Sequence, residues 1–337
     1  MSENSLIIIN NEKVCEKDNE FYCDNYNLKI LPEGLNNYYQ VKYIVRSSNK
    51  QGRHKINLQN IKIASNIIKF IYFMFKTFKN SHAKYLIISI TPYTFFSFLI
   101  LFLFRKKVFV YLISSGHEEW KFILGSWSVW IYHIMYSIVT SNANVIVLHS
   151  RLFKKKNCNV ITASTLDEQW LRNHKEVRLD KIRFLYVGRV NPEKGIYDFL
   201  KMFENMKLDK ELSIVGELKN TKISNKNVKL VGPISDRQSL IDIYDSHNIL
   251  ILPSFTEGQP YVVDESLARR RPVVIFEDIA HIVKERKGIF VSKRNINSFC
   301  ETINHVMQNY NKIQKNIEGN KFVTKEDMLK QISSVIG

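Results

Sequence analysis

The sequence predicts an α/β protein made of two doubly wound halves, each a mainly parallel sheet with helices on both faces. Short β-branched runs alternate with helix-length amphipathic segments through the carboxyl-terminal half, the pattern of parallel strands joined by crossover helices. The amino-terminal half repeats that alternation less sharply. A chain of 337 residues, 45% hydrophobic and 12% aromatic, is also long and apolar enough to build two cores.

In the carboxyl-terminal half, strands are expected at Ile182–Val187, Glu211–Val215, Val228–Leu230, Ile249–Leu252, Pro272–Phe276 and Gly288–Val291. Helices fit between them at about 195–206, 236–246, 261–270, 278–285 and 295–312, each with apolar positions three or four apart. In the amino-terminal half, strands are expected at Leu6–Asn10, Gln40–Val45, Tyr85–Ile90, Val108–Ile113 and Val145–Leu148. No Gly/Ser-rich linker divides the halves. The boundary falls in Asn159–Asp167, where an apolar strand gives way to STLDEQW. Domains are therefore expected at 1–162 and 163–319, with a last helix in 320–337 packing back toward the first domain.

Two apolar segments need separate decisions. Leu86–Phe104 is a nineteen-residue run without a charge, long enough to span a bilayer. Pro92 divides it, so it is read as a buried strand, a Thr91-Pro92 turn and a helix, with a transmembrane helix as the alternative. Ile67–Phe78 (IIKFIYFMFKTF) is apolar and aromatic but carries Lys69 and Lys76, with Lys79 next to it. It suits either a membrane interface, with lysine stems reaching the headgroups, or a core helix with basic edges.

The net charge of +17 is unevenly placed. Between Glu33 and Glu118 there is no Asp or Glu, while thirteen Lys or Arg lie from Lys42 to Lys107. A field of one sign attracts an anionic partner, nucleic acid or an acidic membrane surface, unless it is simply a solvated basic surface. No helix-turn-helix, zinc-finger or RNP pattern accompanies it, so nucleic acid is not the expected partner. Cys15, Cys23, Cys158 and Cys300 are scattered without Cys-x-x-Cys spacing. That argues against a zinc site or disulfide framework and for a reduced, cytoplasmic compartment. The opening MSENSLIIINNEKV has a four-residue apolar run with no basic cluster before it, and reads as a first strand rather than a signal peptide.

Two segments carry chemistry. In Phe184–Gly195, FLYVGRVNPEKG, a buried strand meets a Gly188-Arg189 turn and then Pro-Glu-Lys-Gly leading into a helix. Open parallel sheets hold their ligands at such strand ends, and Gly188 permits a tight turn there. Arg189 offers a forked guanidinium to phosphate oxygens and Lys194 a compact positive charge, which together suit a diphosphate. Without a ligand, the same segment is an ordinary loop with solvated charges. The second segment is Ile249–Phe276, ILILPSFTEGQPYVVDESLARRRPVVIF. A strand ends at Pro253-Ser254, a loop holds Glu257, Gly258 and Gln259, and a helix starts near Pro260. The free N–H groups at about Tyr261, Val262 and Val263 can hold a phosphate. Glu257 and Glu265 could face one cleft, or both could be surface carboxylates.

Together G-R-x-x-x-x-K-G and P-S-x-x-E-G-x-P-x-x-x-x-E resemble the donor domain of glycosyltransferase family 4 and its retaining GT-B relatives. LSIVGEL and VKLVGPISDRQSLIDIYDSHNILILPS follow the same course over about 150 residues. The resemblance implies a GT-B fold, two Rossmann-like domains facing across a cleft. It implies that Arg189 and Lys194 bind a nucleotide diphosphate and that Glu265 hydrogen-bonds the ribose. Glu257, with the Gly258 and Gln259 backbone, would face the transferred sugar, and Gly232-Pro233-Ile234 would lie near the base. In VFVYLISSGHEEW, His117 follows a strand where related enzymes often carry a histidine at the cleft, so it is a second catalytic candidate, with a structural histidine at a strand end as the alternative. Two departures stand out: Asn10-Asn11-Glu12 replaces the glycine-rich loop many relatives carry after the first strand, and Arg271 replaces a small residue before Pro-Val. The first bears on acceptor recognition; the second is expected to alter only a turn.

The activity this implies is sugar transfer with retained anomeric configuration from a UDP or GDP sugar, with no metal and no cofactor. The acceptor would be a lipid-linked or oligosaccharide chain at an anionic membrane surface, in cell-surface polysaccharide, lipopolysaccharide or capsule synthesis. A nucleotide-sugar epimerase and a non-catalytic partner subunit share the fold and remain alternatives. A nucleic-acid-binding protein is a remote one.

Overall fold

The structure, a computed structural model, describes residues 4–50, 52–114, 116–148, 153, 158–217 and 225–337. The chain divides into two compact units: Met1–Ala163 with Lys325–Gly337 (unit 1), and Ser164–Thr324 (unit 2).

Unit 1 begins with β1 (Ser5–Lys17), β2 (Glu20–Cys23), α1 (Tyr26–Leu35), β3 (Gln40–Ser47), β4 (His54–Ile56) and β5 (Ile61–Ala64). It continues with α2 (Ile67–Phe75), β6 (Lys84–Ile88), α3 (Pro92–Leu103), β7 (Val108–Leu112), α4 (Gly116–Leu124), α5 (Ser128–Asn142), β8 (Asn144–Val147) and β9 (Cys158–Val160). The parallel sheet runs β5-β3-β1-β6-β7-β8-β9. Its strand order reverses between β1 and β6.

Asn10-Asn11-Glu12 does not form a loop, and the first strand, expected to end at Asn10, runs past it. β1 runs on to Lys17, with its register against β3 shifting between Ile9 and Lys13. That irregularity absorbs the polar residues: Asn10 Nδ2 donates to the buried Tyr43 hydroxyl at 2.9 Å, and Arg46 donates to Asn11 Oδ1 at 3.2 Å. Beyond it, β1 pairs antiparallel with β2, and β2 with β4.

Leu86–Phe104 resolves into strand, turn and helix. Thr91 and Thr94 cap α3 reciprocally, and Pro92 fills its first turn. Among the described residues no helix is long and apolar enough to cross a membrane. The core-helix reading of Ile67–Phe78 holds for one side of α2. α2 buries Phe70 and Met74 in the core, while Ile68, Tyr72 and Phe75 stay exposed.

Unit 2 contains α6 (Glu168–Leu171), β10 (Ile182–Val187), α7 (Ile196–Asn205), β11 (Lys210–Val215), β12 (Val228–Leu230), α8 (Arg237–Asp245), β13 (Ile249–Leu252) and α9 (Tyr261–Ala268). It ends with β14 (Val273–Phe276), β15 (Ile289–Ser292), α10 (Ile296–Gln308) and α11 (Tyr310–Glu318). Its sheet is parallel throughout, in the order β12-β11-β10-β13-β14-β15. The central strands β13 and β14 are short, apolar and buried on both faces, as a sheet covered by helices requires, while the edge strands β12 and β15 are partly exposed. Phe184, Phe199, Phe203, Phe276 and Phe299 meet edge-on or tilted between them.

Three expectations need correction here. The helix placed at 278–285 is a 3₁₀ segment, Glu277–Ile282. The helix placed at 295–312 breaks at Asn309, whose side chain donates to the His305 carbonyl at 2.9 Å, while the Tyr310 hydroxyl is anchored on Asn248 O at 2.6 Å. Arg271 does far more than alter a turn. It and Arg269 are buried around Asp245: Arg269 Nη2 lies 2.7 Å from Asp245 Oδ2, and Arg271 Nη2 lies 3.6 Å from Oδ1. Two guanidiniums face one carboxylate, so backbone carbonyls take the remaining donors. Arg269 binds those of Trp170, Arg172 and Asn173, and Arg271 that of Lys175, which straps residues 170–175 to the end of α9.

After unit 2 the chain returns to unit 1 as α12 (Lys325–Ile336), which buries Met328, Leu329, Ile332 and Ile336. The Tyr39 hydroxyl donates to Ser333 O at 2.9 Å, and Lys84 Nζ to Gly337 O at 3.0 Å.

Candidate functional site

A doubly wound sheet leaves a crevice beyond the carboxyl ends of its strands where the strand order reverses, and ligands bind there. In unit 2 that point lies between β10 and β13, and both segments singled out in the sequence leave the sheet at it.

β10 ends at Gly188. The Gly188 N–H donates to Val215 O at 3.0 Å, and the next strand end repeats the arrangement, Gly216 N–H to Gly232 O at 3.1 Å. A Cβ on Gly216 would stand 2.0 Å from Gly188 O, so these turns pack backbone on backbone. Arg189 is exposed and makes no ion pair among the described residues; its carbonyl accepts from the Tyr186 hydroxyl at 2.6 Å. A 3₁₀ turn, Pro192–Lys194, follows, and Gly195 closes it at φ +65°. A Cβ there would lie 2.0 Å from Pro253 O, so only glycine lets this turn touch the end of β13.

That contact joins the two segments. The Phe255 N–H donates to Glu193 O at 3.0 Å. Lys194 Nζ donates to Glu257 Oε1 at 2.6 Å, and the buried Ser254 hydroxyl donates to the same oxygen at 2.7 Å. With Oε1 doubly occupied, Glu257 keeps Oε2 available as an acceptor. Gly258 is exposed and Gln259 half-buried. Pro260 stands just outside α9, as its N-cap rather than in its first turn, and no side chain caps the helix. Tyr261 and Val262 follow, half-buried, in the first turn; the Val263 N–H, expected to be free, donates to Pro260 O at 3.2 Å. Burial and the neighbouring Asp264 and Glu265 push the Tyr261 hydroxyl up to about 12.

Glu265, on the second turn of α9, has different partners from Glu257. It accepts from the Tyr244 hydroxyl at 2.9 Å and from Thr165 Oγ1 at 3.1 Å. Burial holds its carboxyl above the ordinary range, while the bonds from Tyr244 and Thr165 pull it back. Gly232 has a positive φ of 82° with open space where a Cβ would stand, and Ile234 packs on the core of unit 2.

His117 belongs to unit 1. Its Nε2 lies 3.1 Å from His133 Nδ1, and its ring meets those of Tyr132 and Tyr136 edge-on. Burial, then the His133 charge, lowers its pKa.

Residues not singled out in the sequence hold the site together. Arg294 donates to Pro253 O at 3.0 Å and Ser254 O at 3.3 Å, pairs with Asp278 at 2.7 Å and lies over the rings of Phe255 and Phe276. His281 donates from Nε2 to Glu257 O at 2.9 Å. No periodicity marks either residue; both lie on connections after later strands of the sheet. Among the described residues no group of three or more His, Cys, Asp or Glu is placed to hold a metal ion. A cavity of about 880 Å³ lies at the opposite end of the same sheet, beside the strand starts. There Lys175, Lys181 and Arg183 are already paired with Asp242, Glu211 and Asp180, so their charge is spent internally.

Residues 181–309, all within unit 2, match the family model described as glycosyl transferases group 1. Over 137 residues the chain is 26% identical to TuaC of Bacillus subtilis (strain 168), named as a glycosyltransferase of teichuronic acid biosynthesis; this covers 40% of the chain. The match spans about a third, 35%, of that relative's length. Among solved structures, Anabaena Alr3699/HepE in complex with UDP and glucose superposes with a TM-score of 0.72 at 12% identity, covering 98% of both chains. Sucrose-phosphate synthase from Thermosynechococcus elongatus gives 0.69 at 14% identity, again over 98% of both. The fold is GT-B, with a parallel-sheet, Rossmann-like architecture in each half.

Proposed function

We propose that the protein is a retaining glycosyltransferase that moves a sugar from a UDP or GDP sugar to a lipid-linked saccharide acceptor, in the synthesis of a bacterial cell-surface polysaccharide. The observation that carries this reading is the Lys194–Glu257 pair at the β10/β13 crevice, inside the segment that matches the group 1 model. UDP is the nucleotide in the similar HepE complex, and TuaC is named for teichuronic acid biosynthesis.

Chemically, the sugar's C1–O bond to the diphosphate breaks while the acceptor hydroxyl attacks the same face. The acceptor proton passes to the departing diphosphate and the new glycosidic bond forms. The leaving group gathers negative charge, which Lys194, Arg189 and the uncapped N–H groups of α9 would stabilise without a metal. Glu257 would orient the sugar through Oε2, Glu265 would bind the ribose and Gly232-Pro233-Ile234 would lie near the base. His117, whose pKa is lowered by burial and then by His133, would help place the acceptor or the donor sugar.

Purified protein incubated with UDP and GDP sugars, with and without an extracted lipid-linked acceptor, tests this. Glycosylated product formed only when acceptor is present separates a transferase from an epimerase or a silent subunit. Lys194→Ala and Glu257→Ala should each lower turnover by about 10²-fold or more with the fold intact. Near-normal turnover in either variant would remove these residues from the site.

A further inference from the structure

One face of the unit 1 sheet is covered by α2, α3 and α5, whose inward side chains share one core: Phe70 and Met74, Phe98 and Leu101, Tyr132 and Met135. Helices packed this way turn their other sides outward, where charged residues are the rule. Here they are mostly apolar. The whole of α5, Ser128–Asn142, carries no charged residue. Trp130, Ile131, Ile134 and Ile138 are spaced along one side of it and exposed, Trp130 at 70%. Trp127, at the entry to the helix, is 66% exposed. α2 and α3 extend the surface with Ile68 at 78% and Leu103 at 75%. Single exposed apolar side chains are ordinary, but a run of them across three packed helices marks an interaction surface.

Cations stand among these groups. Lys76 lies over the Tyr72 ring at 4.5 Å and Lys106 over Phe78 at 5.1 Å. Phe75 meets Phe104 edge-on at 5.9 Å, so the ends of α2 and α3 form one aromatic and basic patch. The acids facing this charge are few: between Glu33 and Asp167 the sequence has only Glu118 and Glu119, both in the first turn of α4.

This chemistry selects the occupant. A nucleic acid would use the lysines but leave exposed isoleucine and leucine in water. A second copy of the chain would set two acid-poor basic faces against each other. An anionic bilayer satisfies both features, with apolar and tryptophan side chains in the headgroup boundary and lysines on the lipid phosphates. We propose that the outer face of α2, α3 and α5, anchored by Trp127 and Trp130, docks in the headgroup region of an anionic lipid bilayer. This deepens the membrane-acceptor reading above, but the surface stands independently of the donor chemistry.

Co-sedimentation and tryptophan emission of the full chain, with equimolar phosphatidylglycerol–phosphatidylcholine vesicles and with phosphatidylcholine alone, test it. The anionic vesicles should bind the protein and shift its emission to the blue. Trp127→Ser/Trp130→Ser should weaken that binding at least about tenfold with an unchanged melting temperature, since both rings are exposed. Lys76→Glu/Lys106→Glu should weaken it comparably and abolish its salt dependence in part. Equal binding by the parent and both variants, or no binding to anionic vesicles, overturns the proposal. So does a tryptophan variant that turns a dimer into a monomer while vesicle binding persists. Nucleotide-sugar hydrolysis without vesicles, read in parallel, should be unchanged in both variants. Its failure in the parent would count against the transferase reading alone.

Discussion

Units 1 and 2 share a strand order but end their first strands in opposite ways. In unit 2, β10 stops at Gly188, and the chain folds through Lys194 and Gly195 onto the end of β13. In unit 1, β1 meets Asn10 and Asn11 at the same stage, keeps going to Lys17 and becomes a ribbon edge. The same scaffold thus yields a tight turn or a strand extension, depending on whether a glycine follows the strand. The polar groups are also spent differently. Unit 2 buries Arg269 and Arg271 around Asp245. In unit 1, among the described residues, every ion pair is at least partly exposed, and large apolar side chains stand on the surface instead. One unit is organised around internal polarity, the other around an outward apolar face.

Breaking the internal polarity should have the largest effect. Arg269→Met leaves Asp245 short of its principal partner and frees the Trp170, Arg172 and Asn173 carbonyls, costing about 3–5 kcal/mol. Hydrogen exchange read separately on peptides from each unit should place the loss in unit 2; an equal loss in unit 1 would contradict the contrast. Gly195→Ala comes next. Its methyl meets Pro253 O and its φ is left-handed, so unit 2 should lose about 2–3 kcal/mol and nucleotide affinity should drop with it. Asn10→Gly in unit 1 should leave nucleotide affinity, measured by calorimetry, unchanged. The smallest effect concerns pH. Burial first, and then Asp24, raise Glu12 from 4.5 to about 7. A carboxyl held above its ordinary value keeps its proton more tightly in the folded state, so its contribution is full below about 4.5 and is lost as pH rises through 7. Glu12→Gln should flatten that decline, worth about 2 kcal/mol after allowance for partial solvent contact, in urea melts from pH 5 to 8.

Unit 2 was legible because its strands are short β-branched runs and its turns carry Gly and Pro at the points where the chain bends. Gly188, Lys194 and Glu257 could be picked out since each lies just past a strand end. Unit 1 was harder. Asn10 and Asn11 have the composition of a turn, and they stay in a strand because Asn10 donates to the distant Tyr43 hydroxyl and Arg46 donates to Asn11. Arg269 and Arg271 look like surface charges at a helix end, since arginine is seldom buried; the carbonyls that bury them come from nearly a hundred residues away. Arg294 and His281 were missed for the same reason: their partners are backbone oxygens of other loops.

The return of α12 to unit 1 has a consequence for how the chain is made. Synthesis delivers the β1–β9 sheet first, but the helix that buries its own Leu329 in unit 1 and, with the residue after it, holds Tyr39 and Lys84 emerges only after all of unit 2. The first-made unit is therefore the last to be completed. Until then its nascent form leaves the seat of α12 uncovered, apolar surface of the kind that makes an incomplete domain prone to aggregate.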